Sequence, residues 1–185
     1  MSMAIMAVAA LAATSNAPSS SVVQCTADGG HYRLIKVSGS DTALSAQIRV
    51  LRRDPGIKDV GEWSPAAGLL FILPKKNHTA GVQVYVDSAE PDKMRLLLRK
   101  PDAATATFAV APASKTVPIS ARAEKGMLTV SAGPIEESTK INDKQIMGAA
   151  LMCSSGEFEF TLGPGLQVDA VASNPSFDPW EHSTK

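Results

Sequence analysis

From residue 31 onward, apolar and polar side chains alternate with a period of two, the spacing of a β-strand with one buried and one wet face. Leu44, Ala46, Ile48 and Val50 alternate with Ser45, Gln47 and Arg49, and Val82, Val84 and Val86 with Gln83, Tyr85 and Asp87. Val117, Ile119, Ala121 and Ala123 alternate with Pro118, Ser120, Arg122 and Glu124, and Phe158, Phe160 and Leu162 with Glu157, Glu159 and Thr161. Each run predicts a strand of an antiparallel sheet. Ala66 to Leu73, Met94 to Leu98 and Ile146 to Cys153 are more uniformly apolar and short, which predicts central strands. Turn residues separate the pieces at Asp28-Gly29-Gly30, Ser38-Gly39-Ser40, Asp54-Pro55-Gly56, Glu90-Pro91-Asp92, Gly133-Pro134 and Ser154-Ser155-Gly156. No segment holds helical spacing for three turns; Pro134 to Ile146 is polar, with room for one short helical turn. Pro118, at an outward position, predicts an edge strand, because proline cannot donate to a ladder. About ten short strands with regular turns define an all-β fold, an antiparallel β-sandwich or barrel.

The chain of 185 residues fits a single domain with a sizeable core. Eighteen basic residues balance eighteen acidic ones. That leaves no basic footprint for nucleic acid and no polybasic block for anionic lipid, and neither is expected as a partner. Met3 to Ala13 is an apolar run too short for a transmembrane segment, which needs roughly 20 residues. With small residues at Ser15 and Ala17 it fits a secretory signal, although no lysine or arginine precedes it. A plain N-terminal extension is the competing reading. The expected organisation is a signal peptide at 1–17, an extension at 18–30, a sandwich domain at 31–172 and a tail at 173–185. Secreted or periplasmic localisation follows from it. Cys25 and Cys153 suit a single disulfide in an oxidising compartment. Two buried thiols, or lipid attachment at Cys25, are the alternatives; Gln24 departs from the small residue that bacterial lipoprotein signals place before the cysteine.

The order of segments resembles the concanavalin A-like jelly roll, the sandwich of legume lectins, laminin-G domains and many glucanases. The likeness covers residues 31–172. It rests on Ala43 to Leu51, Ala67-Gly68-Leu69-Leu70-Phe71, Gly81-Val82-Gln83-Val84-Tyr85-Val86-Asp87 and Gly126-Met127-Leu128-Thr129-Val130. Met147-Gly148-Ala149-Ala150-Leu151 leading into Gly156-Glu157-Phe158-Glu159-Phe160 completes it. It is a likeness of layout, and fold does not carry function with it. In such sandwiches the first and last strands are neighbours, which implies that Cys25 can approach Cys153.

Chemistry-bearing patterns are sparse. His31, His78 and His182 have no second ligand at zinc spacing, and there is no serine elbow, phosphate loop or calcium loop. No metal or cofactor is expected. Glu157 and Glu159 share one face of a strand, roughly 7 Å apart, within the 5–9 Å range of glycosidase carboxylates. The glucanases that the layout resembles carry three alternating acids, whereas Thr161 and Ser155 stand at the flanking positions here. The competing reading is a solvated face opposite Phe158 and Phe160. Binding candidates are Trp63, in the loop from Asp54 to Pro65, and Tyr85, flanked on its polar face by Gln83 and Asp87. The competing reading of Trp63, favoured over binding, is a cover for the sandwich end, and that of Trp180 is a tail anchor. The first reading is an exported non-catalytic binding module, with carbohydrate as the ligand implied by the resemblance. A structural or interaction protein of an exported assembly, meeting a protein partner, is the alternative. A glycoside hydrolase using Glu157 and Glu159 is the second.

Overall fold

The computed structural model describes residues 21–54, 65–75, 78–86, 90–101, 106–141 and 146–168. The expected signal peptide at 1–17 and tail at 173–185 lie outside them, as do Trp63, Asp87 and Trp180. The described residues form strands β1 (Val22–Ser38), β2 (Ala43–Arg53), β3 (Ala66–Ile72), β4 (Thr79–Val86), β5 (Lys93–Arg99) and β6 (Ala106–Pro112). They continue with β7 (Val117–Glu124), β8 (Met127–Ala132), β9 (Ile135–Lys140), β10 (Gly148–Leu162) and β11 (Gln167–Val168). Every pairing is antiparallel.

One hydrogen-bonded network builds two layers, because β1 and β10 are long enough to belong to both. Residues 148–154 of β10 pair with β3, and residues 156–162 pair with β2. β1 accompanies β10 along both halves. The first layer therefore runs β6-β5-β4-β3-β10-β1, and the second runs β1-β10-β2-β7-β8-β9. The layers face each other across one core. Ala80, Val82, Val84, Val86, Met94, Leu96 and Leu98 meet Leu44, Ile48, Ile119, Ala121, Leu128 and Val130 there. These are the inward members of the alternating runs, and their removal from water is the main favourable contribution to folding. The architecture is an all-β antiparallel sandwich.

The corner between the layers lies in the middle of β1 and β10. Ser155 has a left-handed backbone (φ 46°) and is fully buried, at the point where β10 exchanges β3 for β2. Its hydroxyl accepts the Gly30 N–H at 3.2 Å, and its carbonyl accepts the Asp54 N–H at 3.2 Å. Across from it, β1 bulges between Ala27 and Tyr32. Bulges bend a strand and strengthen its twist, so both partners fold over together. Thus Asp28-Gly29-Gly30 and Ser154-Ser155-Gly156 bend continuous strands rather than separating elements.

Cys25 and Cys153 are joined by a disulfide with Cα atoms 6.0 Å apart. They are not register partners: Cys25 pairs with Phe158 and Cys153 with Arg33. Each lies two residues from the last paired position before the corner or from Ser155, on opposite sides of the bend. Stacked sheets are separated by about 10 Å, too far for a disulfide, and they converge where the ribbon folds over. The bond therefore ties one layer to the other at their shared corner.

Three expectations are corrected. Residues 22–30, read as an extension ahead of the domain, belong to β1, with Val22 to Ala27 paired to Thr161 to Gly156 of β10 ahead of the bulge. Within 134–146, residues 135–140 form β9 rather than a helical turn, paired with β8 from Ile135↔Ala132 to Lys140↔Met127. Pro118 lies on β7, an inner strand between β2 and β8. It is tolerated because its carbonyl accepts the Gly133 N–H, so its donorless nitrogen turns toward the end of β8 rather than toward β2.

Candidate functional site

The outer face of the first layer carries the side chains that alternate with the core set. Register places Ser154, Ala66, Tyr85, Arg95 and Val110 on one rung across β10, β3, β4, β5 and β6. The next rung holds Met152, Gly68, Gln83, Leu97 and Thr107, and the one after it Ala150, Leu70, Gly81 and Arg99. Over β10 and β3 this face is a second buried apolar cluster of Leu34, Ala66, Leu70, Ile72, Ala150 and Met152, with Tyr85 packed against it. That explains why Ala66 to Ile72 reads as apolar on both faces: β3 is buried on both.

The character of the face changes over β4 and β5. Gln83, Tyr85, Arg95, Leu97 and Arg99 are half-buried. Two glycines keep the middle of the face low. A Cβ on Gly68 would stand 2.6 Å from the Val82 carbonyl oxygen, and one on Gly81 would stand 2.1 Å from that of Leu69. Side chains are excluded there, and Tyr85 and Arg99 rise beside a floor of backbone.

The cations on β5 differ in their partners. Glu90 accepts hydrogen bonds from Lys93 Nζ at 2.7 Å and from Arg95 Nη2 at 3.0 Å. The hydrogen bond and charge of Lys93, and then the hydrogen bond of Arg95, hold the Glu90 carboxyl below its ordinary pKa. Lys93 is raised in turn, first by its bond to Glu90. Arg99 donates from Nε to Thr79 Oγ1 at 2.6 Å, and burial pushes its guanidinium below its ordinary value.

Glu157 and Glu159 lie elsewhere. Their neighbours Phe158 and Phe160 point into the core, so the two carboxylates stand on the outer face of the second layer, away from Gln83 and Tyr85. Arg49 Nη2 sits 3.0 Å from Glu159, and Arg52 Nε sits 3.8 Å from Glu157. Both arginines come from β2, the adjacent strand. Exposed pairs of this kind contribute about 0–1 kcal/mol. Glu159→Gln is accordingly expected to lower stability by less than about 1 kcal/mol in urea denaturation; a larger loss would show that the pair holds β2 to β10.

Of the binding candidates, Gln83 and Tyr85 come together on one face, and Trp63 and Asp87 lie outside the described residues. The sequence pattern does not single out Arg95 and Arg99, because Met94 to Leu98 reads as a uniformly apolar strand. The signal was the alternation of Lys93, Arg95 and Arg99 with Met94, Leu96 and Leu98, partly masked by Leu97. Among the described residues, no group of three or more His, Cys, Asp or Glu side chains could hold a metal ion. No helix among them is long and apolar enough to cross a membrane.

No protein-family model matches the chain, and no curated protein does. Solved structures resemble it at low identity. The carbohydrate-binding module CBM66 from Bacillus subtilis is 14% identical over 75% of this chain and 82% of that one, with a TM-score of 0.47. An alginate lyase from Alteromonas sp. 272 is 9% identical over 80% and 89%, with a TM-score of 0.49. CG-16, a homodimeric agglutinin from chicken liver, is 6% identical over 75% and 100%, with a TM-score of 0.44. These neighbours are concanavalin A-like jelly-roll proteins, and the likeness is one of fold alone.

Proposed function

We propose that the chain is an exported, non-catalytic carbohydrate-binding module whose ligand lies on the outer face of the first layer, over β4 and β5. One observation carries this reading: Gln83, Tyr85, Arg95 and Arg99 stand half-buried on one face of two adjacent strands, beside a floor of glycine backbone. A flat aromatic ring stacks on the apolar face of a sugar, while amide and guanidinium groups hydrogen-bond its hydroxyls. Because these groups sit on strands rather than loops, their spacing is set by the ladder. The buried disulfide supports an oxidising destination. Glu157 and Glu159, each facing an arginine on the other layer, take no part.

A glycan array screened with the wild type, Tyr85→Ala and Gln83→Ala tests the reading. Binding to at least one glycan is expected, weakened about tenfold or more by Tyr85→Ala, which corresponds to about 1.4 kcal/mol. Tyr85 also packs on the apolar cluster, so Gln83→Ala serves as the second probe and should weaken the same glycans. Silence across the array, or binding indifferent to both changes, overturns the proposal.

A further inference from the structure

The proposed glycan face, on which the following rests, also bears on ligand charge. We infer that the ligand carries carboxylate groups and that Arg99 is the side chain that reads them. Arg49, Arg52, Arg95 and Arg122 each face a carboxylate of this chain. Arg99 faces none among the described residues: its bond is from Nε to the neutral hydroxyl of Thr79, itself buried. Burial disfavours its charge, and no acid among the described residues offsets that cost. Arginine nevertheless stays protonated. A half-buried, positively charged group thus makes one hydrogen bond among the described residues, through Nε, and its two terminal nitrogens have no described partner.

The geometry suits a bidentate acceptor. The bond to Thr79 draws the Arg99 side chain from β5 across to β4, next to Gly81 on the same face. Gly81, the register partner of Arg99 on β4, has no room for a side chain, so none rises from that position beside Arg99. A planar guanidinium with two parallel donors matches a carboxylate better than it matches a sugar hydroxyl. Arg95 is a poorer candidate because Glu90 already engages it at 3.0 Å. The backbone positions of Tyr85 and Arg99 are four residues apart along the ladder, roughly 14 Å at about 3.4 Å per residue. A ligand that reaches both is an oligosaccharide, stacked at Tyr85 and with an acidic residue at Arg99: a uronate-containing glycan. The chain's net charge is zero, so the attraction is local to this face rather than a property of the whole molecule.

Titration calorimetry of the full chain separates this inference from the one it rests on. The probes are a uronate hexasaccharide, the same oligosaccharide with its carboxyl groups reduced to alcohols, and a neutral β-glucan hexasaccharide. The expected result is tight binding of the uronate alone, weakened about tenfold or more by Arg99→Gln and less by Arg99→Lys, which keeps the charge but loses the fork. Arg49→Gln, on the other layer, should leave binding unchanged. If the reduced or neutral oligosaccharide binds as tightly and Arg99→Gln has no effect, the carboxylate inference is overturned while the glycan face stands. If none of the three binds, the glycan face falls and takes the inference with it.

Discussion

Replacing Cys25 and Cys153 together by alanine is expected to destabilise the protein by about 2–5 kcal/mol and to lower its melting midpoint by roughly 10 °C. The bond closes a sequence separation of 128 residues, so it removes a large set of open conformations from the unfolded chain. In the chain-entropy picture that corresponds to at most about 5 kcal/mol. The folded state adds a reason of its own. The two layers share a corner at Ser155, and the bond spans that corner from Cys25 on one side to Cys153 on the other. Both residues are fully buried, so alanine leaves small cavities but no stranded polar group. Thermal unfolding followed by circular dichroism, with and without reductant, provides the check. The oxidised wild type should melt well above the double variant, and reduction should move the wild type alone. Equal midpoints would show that packing alone holds the corner.

The second large effect is expected at Phe158. Its side chain is fully buried on the inner face of β10, directly opposite Cys25 on β1 and Val50 on β2. Phe158→Ala should cost about 3–5 kcal/mol, combining lost burial with the cavity left behind. The loss should appear in urea denaturation as a lower midpoint with an unchanged slope, because the fold itself persists. Phe158 and Cys25 are register partners on one face, so the triple change with the disulfide removed should differ from the sum of the separate losses. Simple additivity would mean that ring and disulfide do not share a packing environment.

The alternating runs make most strands legible in the sequence. Leu44 to Val50, Val82 to Val86, Val117 to Ala123 and Phe158 to Leu162 all point their apolar members into the core. The same pattern placed Gln83 and Tyr85 together on an outer face. What alternation could not reveal is where a strand continues through a bend. Asp28-Gly29-Gly30 and Ser154-Ser155-Gly156 have turn chemistry, and a bulge uses the same residues as a turn. The pairing of β10 with two different strands decides between them, and that pairing is not local. The candidate site was half visible for a related reason. Leu97 lies on the outer face among polar neighbours, so Met94 to Leu98 looks buried on both sides and hides Arg95 and Arg99.

Local periodicity, then, determined that this chain is an antiparallel β protein and which side of most strands faces inward, because side-chain direction in a strand depends only on residue parity. Tertiary structure decided that Cys25 meets Cys153 across a fold in one ribbon. It also decided that Arg99 comes to lie beside Gly81 and Thr79, and that Glu157 and Glu159 stand on the opposite layer from Tyr85. Those outcomes depend on strand partners far apart in the chain, and parity says nothing about which strands become neighbours.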